Sequence, residues 1–82
     1  MEAQQFNEKW YKHLERGFYG MAIGDEDVIE YLDKEFEKEV AENPDFEYSQ
    51  IKTKFGFARV YSTSNKNDEW EERINEILKA KK

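Results

Sequence analysis

Cysteine is absent from these 82 residues, so neither a disulfide framework nor a thiolate metal site is available, a composition that suits a reducing cytosol. The one histidine, His13, has no second histidine to complete a metal set or a catalytic triad, and packing or solvent exposure is its expected role. No apolar run approaches the roughly 18 residues of a membrane span. The N-terminal stretch MEAQQFNEKW has no basic segment followed by an apolar one, the mark of a secretory signal. The cytoplasm is therefore the expected location. Bases are scarce relative to acids, 13 against 19 for a formal charge of −6. That balance argues against binding duplex nucleic acid over the whole surface, where Lys and Arg must displace condensed counterions, but it leaves local basic patches possible.

Aromatic residues, in contrast, are abundant: six Phe, five Tyr and two Trp. A chain this short buries only about 60% of its unfolded surface, so rings must supply much of the core. The charge is uneven as well. Residues Asp25 to Glu47 hold eleven acids against Lys34 and Lys38, a net of −9, while the rest of the chain is net +3.

Phe6, Trp10 and Leu14 recur at i, i+4 and i+8 and predict an amphipathic helix over residues 3 to 16, stopped by Gly17. The stretch FYGMAIG is too apolar for a solvated loop and too interrupted by glycine for a helix; a buried connector with a short strand at Met21 to Ile23 is expected. Asp25 reads as the N-cap of a second helix running to about Glu42, with Glu26 and Asp27 at the positive end of its dipole. Ile29, Leu32, Phe36 and Val40 form its apolar stripe, widened by Val28, and Asn43-Pro44 ends it. Asn67 or Asp68 caps a third helix with Trp70, Ile74, Ile77 and Leu78 on one side, and Lys79, Lys81 and Lys82 suit its C-terminal end.

Between the second and third helices, Phe46 to Ser64 is rich in β-formers and contains one glycine, Gly56, the signature of a hairpin. A reversal at Phe55-Gly56 pairs Thr53 with Ala58, Lys52 with Arg59, Ile51 with Val60 and Gln50 with Tyr61. Alternation then places Ile51, Thr53, Ala58 and Val60 on one face and Gln50, Lys52, Arg59 and Tyr61 on the other, with Lys54 near the tip. A three-residue loop would put Lys52 opposite Val60 and mix polar with apolar. Loops of two or four residues keep the same pairs. The four-residue loop, Lys54 to Phe57, is preferred because it lets Phe55 fold back over an apolar edge. The whole chain, residues 1 to 82, reads as one α+β domain of order α-α-β-β-α, a two-stranded antiparallel hairpin packed on amphipathic helices.

Two pieces, Gly20-Met-Ala-Ile-Gly24-Asp25 and Gln50-Ile-Lys-Thr-Lys-Phe-Gly-Phe-Ala-Arg-Val-Tyr61, resemble a family of small proteins, mostly of phages and prophages. In that family a Gly-x-x-(Ile)-Gly-Asp-Gly-Trp-Tyr-like stretch opens a helix, and a hairpin follows that reads roughly Gln-(Ile/Val)-Lys-Glu-Lys-Phe-Gly-Gly-Leu-Arg-Phe-Tyr. Thr53 stands where Glu is usual, Phe57 replaces the second Gly, Glu26-Asp27 replaces Gly-Trp, and the cysteine-bearing tail of many relatives is missing. The resemblance implies a phage-like origin, hence a host-cell cytoplasm, and a fold; it implies no reaction.

Two surfaces are candidates for function. Gln50, Lys52, Lys54, Arg59 and Tyr61 present cations, an amide and a phenol on one ladder, a set that suits a phosphate or carboxylate, Arg59 offering a planar fork; ordinary solvated polarity is the competing account. Glu26, Glu30, Asp33 and Glu37 make an acidic row on the second helix. Like charges at i, i+4 cost an isolated helix about 0.2–0.5 kcal/mol per pair, so the row has either compensation or a use, such as imitating nucleic-acid phosphates in a basic groove. A merely solubilising face competes with it.

Catalytic groupings are weak. Asp25-Glu26-Asp27 lacks the alternating ligands and central glycine of a calcium loop, and no lysine with Ser/Thr follows Gly20 and Gly24 as in a phosphate loop. The expectation is a non-enzymatic binding protein without cofactor or metal: an acidic phage-type inhibitor or host-interaction protein engaging a host or defence protein, with anti-CRISPR activity as the concrete example. The alternative is a binder of an anionic metabolite or nucleotide on the polar hairpin face. Neither duplex nucleic acid nor membrane is an expected partner.

Overall fold

The alternation in Gln50–Tyr61 has one consistent pairing, and the chain adopts it. In the computed structural model, which describes residues 1–63 and 68–80, β2 (Gln50–Lys54) and β3 (Phe57–Tyr61) pair antiparallel with Gln50 facing Tyr61, Ile51 facing Val60, Lys52 facing Arg59 and Thr53 facing Ala58. Lys54 also faces Phe57, so the loop is the two-residue one, Phe55-Gly56. Both residues have positive φ, 55° and 81°, the primed geometry whose twist matches that of the strands. The four-residue loop is thus overturned: ladder pairing extends to Lys54, and Phe55 projects outward at 82% exposure instead of folding back. Gly56→Ala is expected to lower stability by about 1 kcal/mol, roughly 5 °C in melting midpoint for a domain of this size. A thermal melt with an unchanged midpoint would contradict the positive φ at this position.

Around the hairpin stand α1 (Ala3–Trp10), a 3₁₀ turn (Tyr11–His13), β1 (Gly20–Met21), α2 (Glu26–Glu42) and α3 (Asp68–Ala80). The sheet has three strands in the order β1-β2-β3, with β1 parallel to β2. The expected short strand therefore exists, but it spans Gly20–Met21 and not Met21 to Ile23. Met21 and Ile23 are buried, whereas Phe18 and Tyr19 are exposed, so the connector is only half buried.

The first helix is shorter than its periodicity predicts. Leu14 is extended and bridges Tyr48 in parallel, because the Tyr48 N–H donates to the His13 carbonyl at 2.9 Å and the Glu15 N–H donates to the Tyr48 carbonyl at 2.7 Å. Those backbone groups serve a ladder and are lost to the helix. In α2, the Asp25 carboxylate accepts from the Asp27 and Val28 amides at 3.0 and 3.3 Å, as an N-cap should. Asn67 as a cap, the turn beyond Thr63 and the terminal Lys81 and Lys82 lie outside the described residues.

Phe36 stands at the centre of the core, its ring 5.0–5.6 Å from those of Phe6, Trp10, Phe46, Tyr48 and Trp70, all edge-on. Trp10 and Trp70 are buried in the same cluster as Ile51 and Val60. On α3, Trp70, Ile74 and Leu78 face inward while Ile77 remains 38% exposed.

Both sheet edges are closed by an asparagine. Asn7 of α1 accepts from the Met21 N–H at 2.6 Å and donates to the Met21 carbonyl at 3.2 Å. On the opposite edge, Asn75 of α3 accepts from the Val60 N–H at 2.8 Å and donates to its carbonyl at 3.1 Å. Each amide pairs like one residue of a further strand and leaves less open edge for another chain to join. With α1 and α3 committed to the edges and the core face, the opposite face of the sheet holds no fully buried side chain among Gln50, Lys52, Lys54, Phe57, Arg59 and Tyr61.

Candidate functional site

Ladder pairing brings all five polar hairpin residues to that open face. Gln50 and Tyr61 form one facing pair and Lys52 and Arg59 the next, with Lys54 two residues further toward the tip. On the flank, Gly20 pairs with Gln50, and the exposed Ala22 follows beside Lys52, so the neighbouring strand adds no bulk. Tyr61 leans across the ladder, with Lys52 Nζ 5.3 Å, Lys54 Nζ 5.9 Å and Arg59 Cζ 5.8 Å from its ring centre. Three cations thus gather about one aromatic ring, which offsets part of their mutual repulsion.

None of the ion pairs among the described residues uses these three cations. Two atoms of this face, Arg59 Nε and the Tyr61 hydroxyl, are shielded from solvent with no hydrogen-bond partner among the described residues. A depression of about 110 Å³ between β3 and α3 adjoins the face, lined by Phe57, Arg59, Asn75, Glu76 and Lys79. The whole is a shallow face that presents three cations beside the carboxylates of Glu71 and Glu76, and the cations suit chemically an acceptor-rich anion.

Carboxylates border it at the end of β3. Glu15 is buried and accepts from the Ser62 hydroxyl at 3.0 Å, the Thr63 N–H at 2.9 Å and the Thr63 hydroxyl. Burial pushes the Glu71 carboxyl up from its ordinary value, helped by Asp68 and Glu15 and opposed by the Ser62 N–H and the Arg59 charge. Glu15 is spoken for by three donors that fasten the chain after β3, which suits anchoring and not proton transfer.

The acidic row is brought together less completely. Asp33 is buried, its carboxylate accepting from the Trp10 indole N–H at 2.8 Å and from Lys9 Nζ. Glu37 pairs with the same Lys9 at 2.7 Å, and Glu30 with the Met1 ammonium. Those contacts draw the Lys9 ammonium upward in pKa, Glu37 contributing first and Asp33 second. Of the four, Glu26 alone has no ion pair among the described residues, and it stands exposed in the first turn of α2.

His13 is packed: its Nδ1 lies 2.9 Å from the Phe46 carbonyl and its ring 5.8 Å from that of Trp10. No three His, Asp or Glu side chains among the described residues gather as a metal set, and no described helix is long and apolar enough to cross a membrane. Sequence reasoning missed Asn7, Asn75, Glu15 and Phe55. For the two asparagines a signal existed, since Asn within a helical run competes poorly for helix and marks a side chain used elsewhere.

Comparisons with protein-family models, curated proteins and solved structures return no match for this chain.

Proposed function

We propose that this protein is a non-enzymatic binding module whose working surface is the open face of the hairpin, where Gln50, Lys52, Lys54, Arg59 and Tyr61 hold a phosphate- or carboxylate-bearing ligand. The observation that carries this reading is the gathering of Lys52, Lys54 and Arg59 about Tyr61 without an ion pair among the described residues, in a chain whose formal charge is −6. An acidic protein has carboxylates enough to neutralise three cations; without a salt bridge among the described residues these stay available to a ligand. The acidic helix is the weaker surface for a partner, because Glu30, Asp33 and Glu37 already face cations of this chain.

The test is titration of the protein with tripolyphosphate and with a nucleoside triphosphate, followed by amide chemical shifts. Shifts are expected on β2 and β3, and Lys52→Ala with Arg59→Ala should weaken binding by roughly tenfold or more, since charge-assisted hydrogen bonds are lost. Glu30→Lys should leave binding unchanged. The reverse ranking, or shifts confined to α2, would move the working surface to the acidic helix.

A further inference from the structure

Phe55 breaks two local rules at once. It occupies the first central position of a primed turn with φ 55°, where Gly, Asn or Asp avoid the clash a bulky side chain suffers. Its ring is also 82% exposed and lies outside the core cluster. The core makes no use of an aromatic ring there, and such violations cluster where a residue serves contact with something outside the chain. Its surroundings indicate what. Lys54 Nζ lies 5.6 Å from the Phe55 ring and 5.9 Å from the Tyr61 ring, so from the tip of the hairpin the platform runs from a ring, Phe55, through the cations Lys54 and the Lys52–Arg59 pair to a second ring, Tyr61.

We propose that this face binds single-stranded nucleic acid, with a base stacked on Phe55 and the adjoining phosphates on Lys54, Lys52 and Arg59. The proposal rests on the hairpin face being the working surface and names the ligand class for it. Interleaved rings and cations match a strand whose bases and phosphates alternate. Strands of five residues span roughly 17 Å, enough for only about three nucleotides. That short footprint fits a chain of charge −6, which would repel the long phosphate rows of a duplex. An acidic peptide would use the cations and leave Phe55 idle. A bilayer would need more apolar surface than one ring.

Fluorescence anisotropy with labelled oligothymidine and oligouridine of about ten nucleotides tests it, at roughly 50 mM salt where backbone contacts are strongest. Comparison probes are a duplex of the same length and a polyglutamate peptide. Binding of the single strands is expected, falling with log salt at a slope of about −2 for three phosphate contacts. Phe55→Ala should weaken it roughly tenfold without shifting the melting midpoint, and Phe55→Trp should restore it. If duplex or polyglutamate binds as tightly, or if Phe55→Ala binds like wild type while Lys52→Ala with Arg59→Ala does not, the nucleic-acid inference falls and the anion-binding reading stands. If none of the oligonucleotides, polyglutamate or tripolyphosphate binds, both fall.

Discussion

Replacing Gly20 by alanine is expected to cost about 3 kcal/mol, a fall of roughly 15 °C in melting midpoint for a domain of this size. Gly20 has φ +78°, and a Cβ built there would stand 2.5 Å from Asn7 Oδ1. That oxygen is the end of a side chain, but not a free one: it accepts from the Met21 N–H at 2.6 Å while Asn7 Nδ2 donates to the Met21 carbonyl. Relieving the clash means giving up both bonds and leaving Met21, a buried residue, with an unpaired N–H and carbonyl. Gly17 is the control. Its φ is +88° with nothing within 4 Å of the added carbon, so Gly17→Ala carries the backbone cost alone, about 1 kcal/mol. Asn7→Ala removes the clamp without a clash, and in that background Gly20→Ala should cost no more than Gly17→Ala, a coupling readable from a double-mutant cycle. Equal costs at Gly17 and Gly20 in the wild-type background would show that the Asn7 clamp contributes nothing to closing the β1 edge.

The clamps mark the boundary between what the sequence discloses and what it hides. The Gln50–Tyr61 register was legible because polar and apolar residues alternate on both arms, and a slip by one residue turns Lys52 inward. Helix α2 was legible because its cap, its stripe and its terminating Asn43-Pro44 all agree. The end of α1 was not, since Leu14 continues the helical spacing and the reason it leaves the helix, Tyr48, is far along the chain. A two-residue β1 has no period to read, and its parallel pairing with β2 depends on Gly20 and Met21 arriving beside Gln50 and Ile51. At the candidate site, the gathering of the five hairpin residues on one face was legible because pairing alone assembles them. Phe55 was missed because its bulk and apolarity argued for burial, and those properties now argue for contact. Asp33 was read as surface charge although it stands four residues after Ile29 and three before Phe36, within the apolar stripe of α2; the spacing that identified the stripe also placed a carboxylate in it.

Asp33→Ala is therefore expected to destabilise the protein by about 2–3 kcal/mol, as the removal of a buried hydrogen-bond partner does. The indole N–H of Trp10, a residue 7% exposed, donates to Asp33 Oδ1 at 2.8 Å, and an alanine leaves that donor buried with no acceptor. Lys9 is less affected, because its ammonium is partly exposed and keeps Glu37 at 2.7 Å. Asparagine should separate the two roles: its amide oxygen still accepts from the indole while the charge facing Lys9 is gone, so Asp33→Asn is expected to cost only about 1 kcal/mol. Urea denaturation of the three proteins measures the ranking, and hydrogen exchange at the Trp10 indole reports the bond itself, protected in wild type and Asp33→Asn and fast in Asp33→Ala. If alanine and asparagine prove equally mild, the indole bond does not hold the α1–α2 contact. If the ranking holds, the anion binding proposed for the hairpin face should be equal in Asp33→Asn and wild type, because the carboxylate serves Trp10 and Lys9 of α1.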